Sequence, residues 1–224
     1  MRSESGHPWS RDPTPGIAVL LTGAAFAGFL VLTAALIFFP AFQEVDARIS
    51  EVMRGTDLPG LEALALGLSF LGSGWVMAVL TAVGALWLLF RGRRPEAGLL
   101  VATMVLGTAA GSVLKAAVER ARPGLETARI PIPESYSFPS GHALAALLFF
   151  GIAAFLFFVL AESVRVKIGA LLACWALAFG IAISRVYLGV HYLGDIIASW
   201  MLGCAFILIA IAIYVSWITR KRPA

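Results

Sequence analysis

The sequence predicts an all-α membrane protein, built as a polytopic bundle of six transmembrane helices. Hydrophobic residues make up 60% of its 224 residues and charged residues only 13%, whereas a soluble domain carries roughly twice that share of charge. The mean hydropathy is +0.89, and six separate stretches approach the roughly 20 apolar residues that one span requires. Little of the chain is left over for a second, soluble domain.

The six predicted spans follow one another with short connections. They cover residues 17–39, a stretch within 63–90, and residues 97–114, 143–161, 168–184 and 196–219. The second stretch is longer than one span requires and is interrupted by Gly67, Gly72 and Gly74. We therefore expect a short surface or re-entrant piece up to about Gly72, followed by the span itself. The membrane domain is predicted to cover residues 17–219.

A polar connector, residues 43–59, follows the first predicted span. Its apolar residues Val45, Ile49, Val52 and Met53 recur at helical spacing, which is typical of an amphipathic helix lying flat on a membrane. An ordinary solvated connector explains the same pattern equally well.

Positive charge predicts which way the bundle faces. If six spans alternate, three basic clusters fall on one side: Arg91, Arg93 and Arg94; Arg165 and Lys167; and Arg220, Lys221 and Arg222. Basic loops mark the cytoplasm, so the tails 1–16 and 220–224 are predicted to be cytoplasmic. The connectors after spans one, three and five are then exocytoplasmic. The same rule accounts for the net charge of +4, and no nucleic-acid partner is expected.

The first cluster of chemically active residues contains Lys115 and Arg122, two helical turns apart near a predicted exocytoplasmic end. Lysine supplies a point charge and arginine a bidentate fork, which together suit a phosphoryl group. Snorkelling of both side chains at a helix end explains the pair without any ligand.

The second cluster is the run 138–143, just before the fourth predicted span. Its small residues indicate a helix N-terminus, whose free N–H groups suit a phosphate. Ser140 adds a hydroxyl, Gly141 lets the backbone approach closely, and His142 is placed to protonate a leaving oxygen. A capped transmembrane helix without chemistry is the alternative.

The third cluster runs from Ser184 to Asp195. His191 and Asp195 are four residues apart, so on a helix they would share a face, and the carboxylate would fix the tautomer of the imidazole. A helix-capping pair and a zinc site are alternatives that the spacing leaves open. Cys174 and Cys204 lie inside apolar stretches, so neither a disulfide framework nor a cysteine-based metal site is expected.

Together the clusters resemble, in order and spacing, the signature of the type 2 phosphatidic acid phosphatase superfamily, which includes lipid phosphatases and vanadium haloperoxidases. Residues 115–123 resemble its K-x6-RP motif, residues 139–142 resemble PSGH, and residues 184–195 resemble SR-x5-H-x3-D. No signature position departs from the pattern. The six-span layout resembles the small bacterial membrane members, so the resemblance extends over nearly the whole chain and implies a membrane lipid phosphatase.

The resemblance implies a mechanism without a metal ion or other cofactor. His191 would attack phosphorus in line and form a phospho-histidine, Asp195 would orient it, and His142 would protonate the leaving group and then activate water. The phosphoryl oxygens would be held by Lys115, Arg122, Ser140, the Gly141 N–H and Arg185. Phosphoryl transfer depends mainly on positioning and charge stabilisation, which three fixed cations can supply.

The partners implied are a lipid phosphate and the surrounding membrane lipids, with no obligate protein partner. Candidate substrates are undecaprenyl diphosphate, phosphatidylglycerophosphate, phosphatidic acid and phosphorylated lipid A, and an isoprenyl or glycerol lipid is favoured. Arg120 and Arg129 lie outside the signature and are expected at a solvated surface or against a headgroup. A transporter or flippase that uses the charges for binding alone is the competing function, although no internal repeat supports it.

Overall fold

The computed structural model describes residues 14–124 and 128–220, and every regular element within them is an α-helix. The helices are α1 (Thr14–Phe38), α2 (Pro40–Arg54), α3 (Leu61–Leu71), α4 (Gly74–Phe90), α5 (Arg94–Val118), α6 (Gly141–Leu160), α7 (Val164–Tyr187) and α8 (Leu193–Arg220). Among these described helices, five are long and apolar enough to cross a membrane, and the number is six if the bent pair α3–α4 is counted as one span. The predicted all-α, multi-pass fold is confirmed.

The helices extend beyond the ends that hydropathy predicts. α5 runs to Val118 rather than residue 114, and α7 runs to Tyr187 rather than residue 184. The extra turns hold polar residues of the signature, which a hydropathy pattern leaves out of a span. At the other end of the chain α1 begins at Thr14, so the last three residues of the predicted tail are helical. The remaining parts of both predicted tails, 1–13 and 221–224, lie outside the described residues.

α3 and α4 meet at an angle of 55°, with Gly72 at the break. A Cβ atom at Gly72 would collide with Ile181 of α7 and would lie 3.5 Å from Cδ2 of His142. Only glycine therefore allows α3 to approach α7 this closely. The expected break at about Gly72 is confirmed, although α4 by itself is not one of the five candidate spans and counts only together with α3. The break lies directly beside the His142 ring.

α6 packs against α5, α7 and α8, with half of its residues buried. Leu148 fits against Gly107 of α5, and Leu144 fits against Gly111 one turn further along. Small residues let helix backbones approach closely, and van der Waals packing of this kind drives helix association in membranes. This packing holds the N-terminal end of α6 in place.

α2 packs against the bundle through a side that carries two polar residues. Asp46 and Ser50 are buried against the bundle, whereas Val45, Ile49 and Val52 are exposed. The predicted amphipathic connector is therefore a helix, although it ends at Arg54 rather than near residue 59. An exposed apolar side is compatible with a position in the membrane interface.

Candidate active site

The helix ends of α5 to α8 bring the signature residues to one end of the bundle. Lys115 lies in the last turn of α5 and Arg185 in the last turn of α7. Ser140 is the residue before α6, and Asp195 lies in the first turn of α8. The Ser140 N–H lies 3.5 Å from the Asp195 carbonyl, so the PSGH segment directly contacts the start of α8.

His191 and Asp195 meet, but they do not share a helix. α8 begins at Leu193, so His191 lies in the preceding loop, and the prediction of a common helical face is wrong. Gly189 ends the previous helical turn with a φ of +75°, a left-handed conformation that favours glycine. Nδ1 of His191 nevertheless lies 3.3 Å from Oδ2 of Asp195.

Asp195 is fully buried, and both of its carboxylate oxygens are engaged. Oδ1 accepts a hydrogen bond from Nη1 of Arg120 at 2.6 Å. Oδ2 accepts one from the Tyr192 N–H at 3.0 Å and another from the hydroxyl of Ser137. The bond from Tyr192 is a helix cap, because Asp195 is the third residue of α8 and reaches back to the residue before the first. One carboxylate therefore both caps α8 and contacts His191.

The imidazole of His191 is buried, with 2% of its surface exposed. Burial lowers the pKa of His191 to about 4 because it penalises the charged form, and Arg122 and Arg185 act in the same direction. Asp195 opposes this shift without cancelling it. His191 is therefore neutral at neutral pH. With its proton on Nδ1, facing Asp195, the ring has a free lone pair on Nε2.

Arg122 lies in front of that free nitrogen. Its Nη1 is 3.2 Å from Nε2 of His191 and donates to the Val190 carbonyl at 2.7 Å. Its Nε donates to the Ser135 carbonyl at 2.7 Å, and Nη2 donates to the Tyr136 carbonyl at 3.2 Å. The guanidinium thus joins the loop before α6 to the loop before α8. It also presents a positive charge where an atom bonded to Nε2 would lie.

Lys115, Ser140 and Gly141 surround the start of α6. Nζ of Lys115 donates to the Tyr136 carbonyl at 2.6 Å. The Ser140 hydroxyl accepts from the Ala143 N–H at 3.5 Å, so Ser140 has the capping geometry that was the alternative to phosphate binding. Gly141 is exposed, with no other side chain within 4 Å of its Cβ position. The first turn of α6 is therefore open to an anion at its positive end.

His142 and Arg185 lie on the side of the site that faces α3. Nη1 of Arg185 donates to the hydroxyl of Ser69, and its buried Nε has no partner among the described residues. Arg185 is within electrostatic range of both His142 and His191. An anion held between the two histidines would therefore lie within reach of the guanidinium's field.

Arg120 is the main site residue that the sequence did not identify. Its Nη2 donates to Asp46 at 2.8 Å, its Nη1 donates to Asp195, and its side chain is 13% exposed. The expectation of a solvated Arg120 is therefore wrong, whereas its contact with a headgroup stays a prediction. Burial lowers the pKa of Arg120, but the two carboxylates outweigh burial and raise it. Asp46, Ser69 and Ser137 were also missed, and the sequence carries no local signal for them.

Arg129 connects the loop after α5 to two other parts of the chain. It donates to Glu62 of α3 at 3.0 Å and to the Arg54 carbonyl at 3.0 Å. Its guanidinium also lies 4.6 Å from the ring centre of Tyr187. Contacts within the protein thus account for Arg129 and leave no reason to assign it to a headgroup.

Few side chains near His191 and Asp195 could serve as ligands for the alternative zinc site. In residues 14–124 and 128–220 no three His, Cys, Asp or Glu side chains are grouped as metal ligands. Both oxygens of Asp195 already accept hydrogen bonds, which leaves His191 without a free carboxylate beside it. Cys174 and Cys204 are unbridged thiols.

Comparison with known proteins gives a consistent result. A family model described as the PAP2 superfamily matches residues 96–219. Phosphatidylglycerophosphatase B of Bacillus subtilis is 35% identical over 182 residues, which cover 80% of this chain and 87% of that protein. Undecaprenyl-diphosphatase of Sulfolobus acidocaldarius is 29% identical over 189 residues, which cover 78% of this chain and 82% of that protein.

Two crystal structures share the architecture. That of a transmembrane PAP2 type phosphatidylglycerolphosphate phosphatase from Bacillus subtilis matches with a TM-score of 0.80 and 29% identity, covering 90% of this chain and 98% of that one. That of Aquifex aeolicus LpxE matches with a TM-score of 0.58 and 23% identity, covering 74% and 93%. The second likeness shows the fold alone.

Proposed function

This chain belongs to the PAP2 superfamily of phosphatases, and from that premise we propose that it removes phosphate from a membrane lipid through a phospho-histidine intermediate on His191. The observation that carries the proposal is the position of the imidazole between opposite charges. Nδ1 faces Asp195 at 3.3 Å, and Nε2 faces Nη1 of Arg122 at 3.2 Å. This arrangement provides an oriented, neutral imidazole as the nucleophile. It also provides a cation beside the position of the phosphorus that the imidazole attacks.

In the first step, Nε2 of His191 forms a bond to phosphorus while the bond from phosphorus to the lipid oxygen breaks. The leaving oxygen takes the electron pair, and His142 donates a proton to it. The lipid departs as an alcohol, or as a monophosphate if the substrate is a diphosphate. Asp195 stabilises the positive charge that develops on the attacking imidazole.

In the second step, water attacks the phosphorus of the intermediate. His142, now neutral, accepts a proton from that water, and the P–N bond breaks with its electron pair returning to His191. Inorganic phosphate leaves, and both histidines regain their starting protonation states. The cycle balances without a metal ion.

The phosphoryl oxygens are bound by Lys115, Arg122, Arg185 and the open first turn of α6. Lys115 and Arg122 donate to loop carbonyls in this structure. Phosphoryl oxygens would replace some of these acceptors, because hydrogen bonds between charged groups are stronger. The Ser140 hydroxyl accepts its cap bond and keeps its own hydrogen to donate.

Phosphatidylglycerophosphate is the first substrate to test among the four candidate lipids. A relative at 35% identity and a crystal structure at TM-score 0.80 both carry names that refer to it. A cavity of about 590 Å³ beside Arg120 and Tyr192 supports a lipid. Its walls combine these polar groups with apolar side chains such as Leu36, Ile37 and Val118, which suits an amphipathic substrate.

We place the site on the exocytoplasmic face of the cell membrane. The basic clusters at the start of α5 and of α7 lie at the opposite ends of those helices from Lys115 and Arg185. Positive loops favour the cytoplasm, so the site faces away from it and both termini face the cytoplasm.

The deciding experiment measures phosphate release from the four lipids by purified protein in detergent micelles. The unaltered chain should release phosphate, with phosphatidylglycerophosphate turned over fastest, and His191→Ala should reduce release to background. His7→Ala changes the one histidine that belongs to none of the three motifs and serves as the matched control. Undiminished release by the His191→Ala protein would exclude the mechanism, and headgroup binding without release would favour the transporter alternative.

A further inference from the structure

The first amide groups of α8 are bound by side chains of α2. The Leu193 N–H donates to Oγ of Ser50 at 3.0 Å, and the Gly194 N–H donates to Oδ1 of Asp46 at 2.7 Å. The first N–H groups of a helix have no partner within it, and a Ser, Thr, Asp or Asn before the helix usually supplies one. Tyr192 occupies that position here, so α2 provides the cap instead.

The same carboxylate of α2 also binds Arg120. Oδ2 of Asp46 accepts from Nη2 at 2.8 Å, while Nη1 donates to Oδ1 of Asp195 at 2.6 Å. The guanidinium lies 4.4 Å from the ring centre of Tyr192, which covers one face of it. Asp46 is 7% exposed and Asp195 is fully buried, so salt screens the interactions of this triad only weakly.

The approach of α2 to α8 is close enough to require glycine at residue 194. A Cβ atom at Gly194 would lie 2.5 Å from Oδ2 of Asp46 and 3.0 Å from Cδ1 of Leu36. Real Cβ atoms essentially never come within 3.0 Å of another heavy atom, so a larger residue would displace the Asp46 carboxylate from its contacts with α8 and Arg120. The contact is therefore part of the packed interior.

We propose that Asp46, acting through Arg120, is a positioning residue that holds the Asp195 carboxylate in the orientation required by His191. This makes α2 a support of the catalytic pair rather than a connector. The inference rests on the proposed phospho-histidine mechanism. Asp46 itself lies outside the three signature motifs, on a helix that precedes all of them in the sequence.

The geometry shows how the support would work. Arg120 divides its fork, with one arm on Asp195 and the other on Asp46. Without the charge of Asp46, the guanidinium would turn both arms towards Asp195, because a bidentate pair is the favoured geometry. Oδ2 of Asp195, the oxygen that faces His191, would then rotate towards Arg120.

The test is the rate constant for phosphate transfer to the protein in a single turnover of labelled lipid, followed by rapid quench. This rate constant applies to each folded active site, so a partly unfolded sample lowers the amplitude and leaves the rate unchanged. Asp46→Asn should lower this rate constant about 10- to 100-fold, a loss of the size seen when a hydrogen-bond partner of a metal-ligating residue is removed. KM should change little. Glu51→Gln removes an exposed carboxylate from the same helix and should keep the normal rate.

A second arm tests whether the effect passes through Asp195. In an Asp195→Asn background, adding Asp46→Asn should cost almost nothing further, because residues acting through one group are not additive. Arg120→Lys should resemble Asp46→Asn, since an ammonium lacks the planar fork. An unchanged rate for Asp46→Asn, or the same fold-loss in both backgrounds, would overturn the inference. If the unaltered protein turns over without forming phospho-enzyme, the proposed mechanism fails. The kcat of Asp46→Asn compared with that of Glu51→Gln then decides the inference.

Discussion

Nη1 of Arg122 lies 3.2 Å from Nε2 of His191, so a permanent cation faces the ring nitrogen that remains free of Asp195. A proton on that nitrogen would bring two positive groups into contact. Arg122 therefore helps to keep His191 neutral, and it would donate to a phosphoryl oxygen once phosphorus lies beside Nε2. A single guanidinium thus serves both the resting protein and the reaction.

The first prediction concerns pH. The pKa of His191 is lowered to about 4 by burial, so the ring loses its nucleophilic lone pair only when the pH falls towards 4. kcat/KM should stay near its maximum down to about pH 5. In the substrate complex His142 must carry a proton, so kcat should fall at high pH. Activity should therefore have a bell-shaped dependence on pH, with an acidic side set by His191 and a basic side set by His142.

The control for this profile is a second substrate whose phosphate has a different second pKa. A limb that moves with the substrate belongs to the substrate, whereas a limb that stays belongs to the protein. An acidic limb fixed near pH 6.5 would indicate an unperturbed histidine and would contradict the assigned environment of His191.

The second prediction separates the roles of the two histidines. His191→Ala should abolish both turnover and the covalent intermediate. His142→Ala should still form phospho-enzyme from a substrate with a good leaving group, because such a group needs little protonation. The measurement is acid-labile, base-stable phosphate on the protein after rapid quench. Phosphate trapped on the His191→Ala protein, or equal defects in both variants whatever the leaving group, would refute these roles.

The third prediction is that activity survives excess chelator. Lys115, Arg122 and Arg185 supply the positive charge that a metal ion provides in many phosphatases. Vanadate should inhibit, because it can adopt the five-coordinate geometry of phosphorus bonded to His191. A magnesium-dependent phosphatase assayed at the same chelator concentration is the control. Loss of activity that one specific metal restores would return the zinc alternative to consideration.

The fourth prediction concerns orientation and uses a chain whose two native cysteines are replaced by alanine. Glu134 is exposed in the loop before α6, and Glu134→Cys should react with an impermeant thiol reagent in intact cells. Arg165→Cys, exposed near the start of α7, should react only after lysis. The reverse pattern would place the site in the cytoplasm.

The fifth prediction concerns the break between α3 and α4. Gly72→Ala adds a Cβ that overlaps Ile181 and touches His142, so we expect a loss of about 1–3 kcal/mol in the free energy of unfolding together with lower kcat. Gly74→Ala, two residues along, meets nothing within 4 Å and should be neutral. Thermal unfolding in detergent and steady-state kinetics measure both effects, and equal behaviour of the two variants would contradict this packing.

The sequence predicts this fold well where the pattern is local. Apolar runs locate the spans, and their alternation brings Lys115 and Arg185 to the same end as both site histidines. The pairing of Asp46 with Arg120 could not be predicted in this way, because 74 residues separate them and no periodic pattern links them. The position of His191 before α8 was also missed, since a spacing of four residues suits a helix as well as a capped loop.

Because side chains of α2 bind the start of α8, segments of this chain cannot be exchanged with those of a relative independently of one another. The region recognised by the family model begins at residue 96, yet Asp46 and Ser50, which hold the start of α8, precede it. A chimera that joins residues 96–219 to the amino-terminal part of a relative would need an acid and a hydroxyl on matching positions of its second helix. Exchange between relatives should therefore succeed when α2 is transferred together with the segments that contain Arg120 and Gly194.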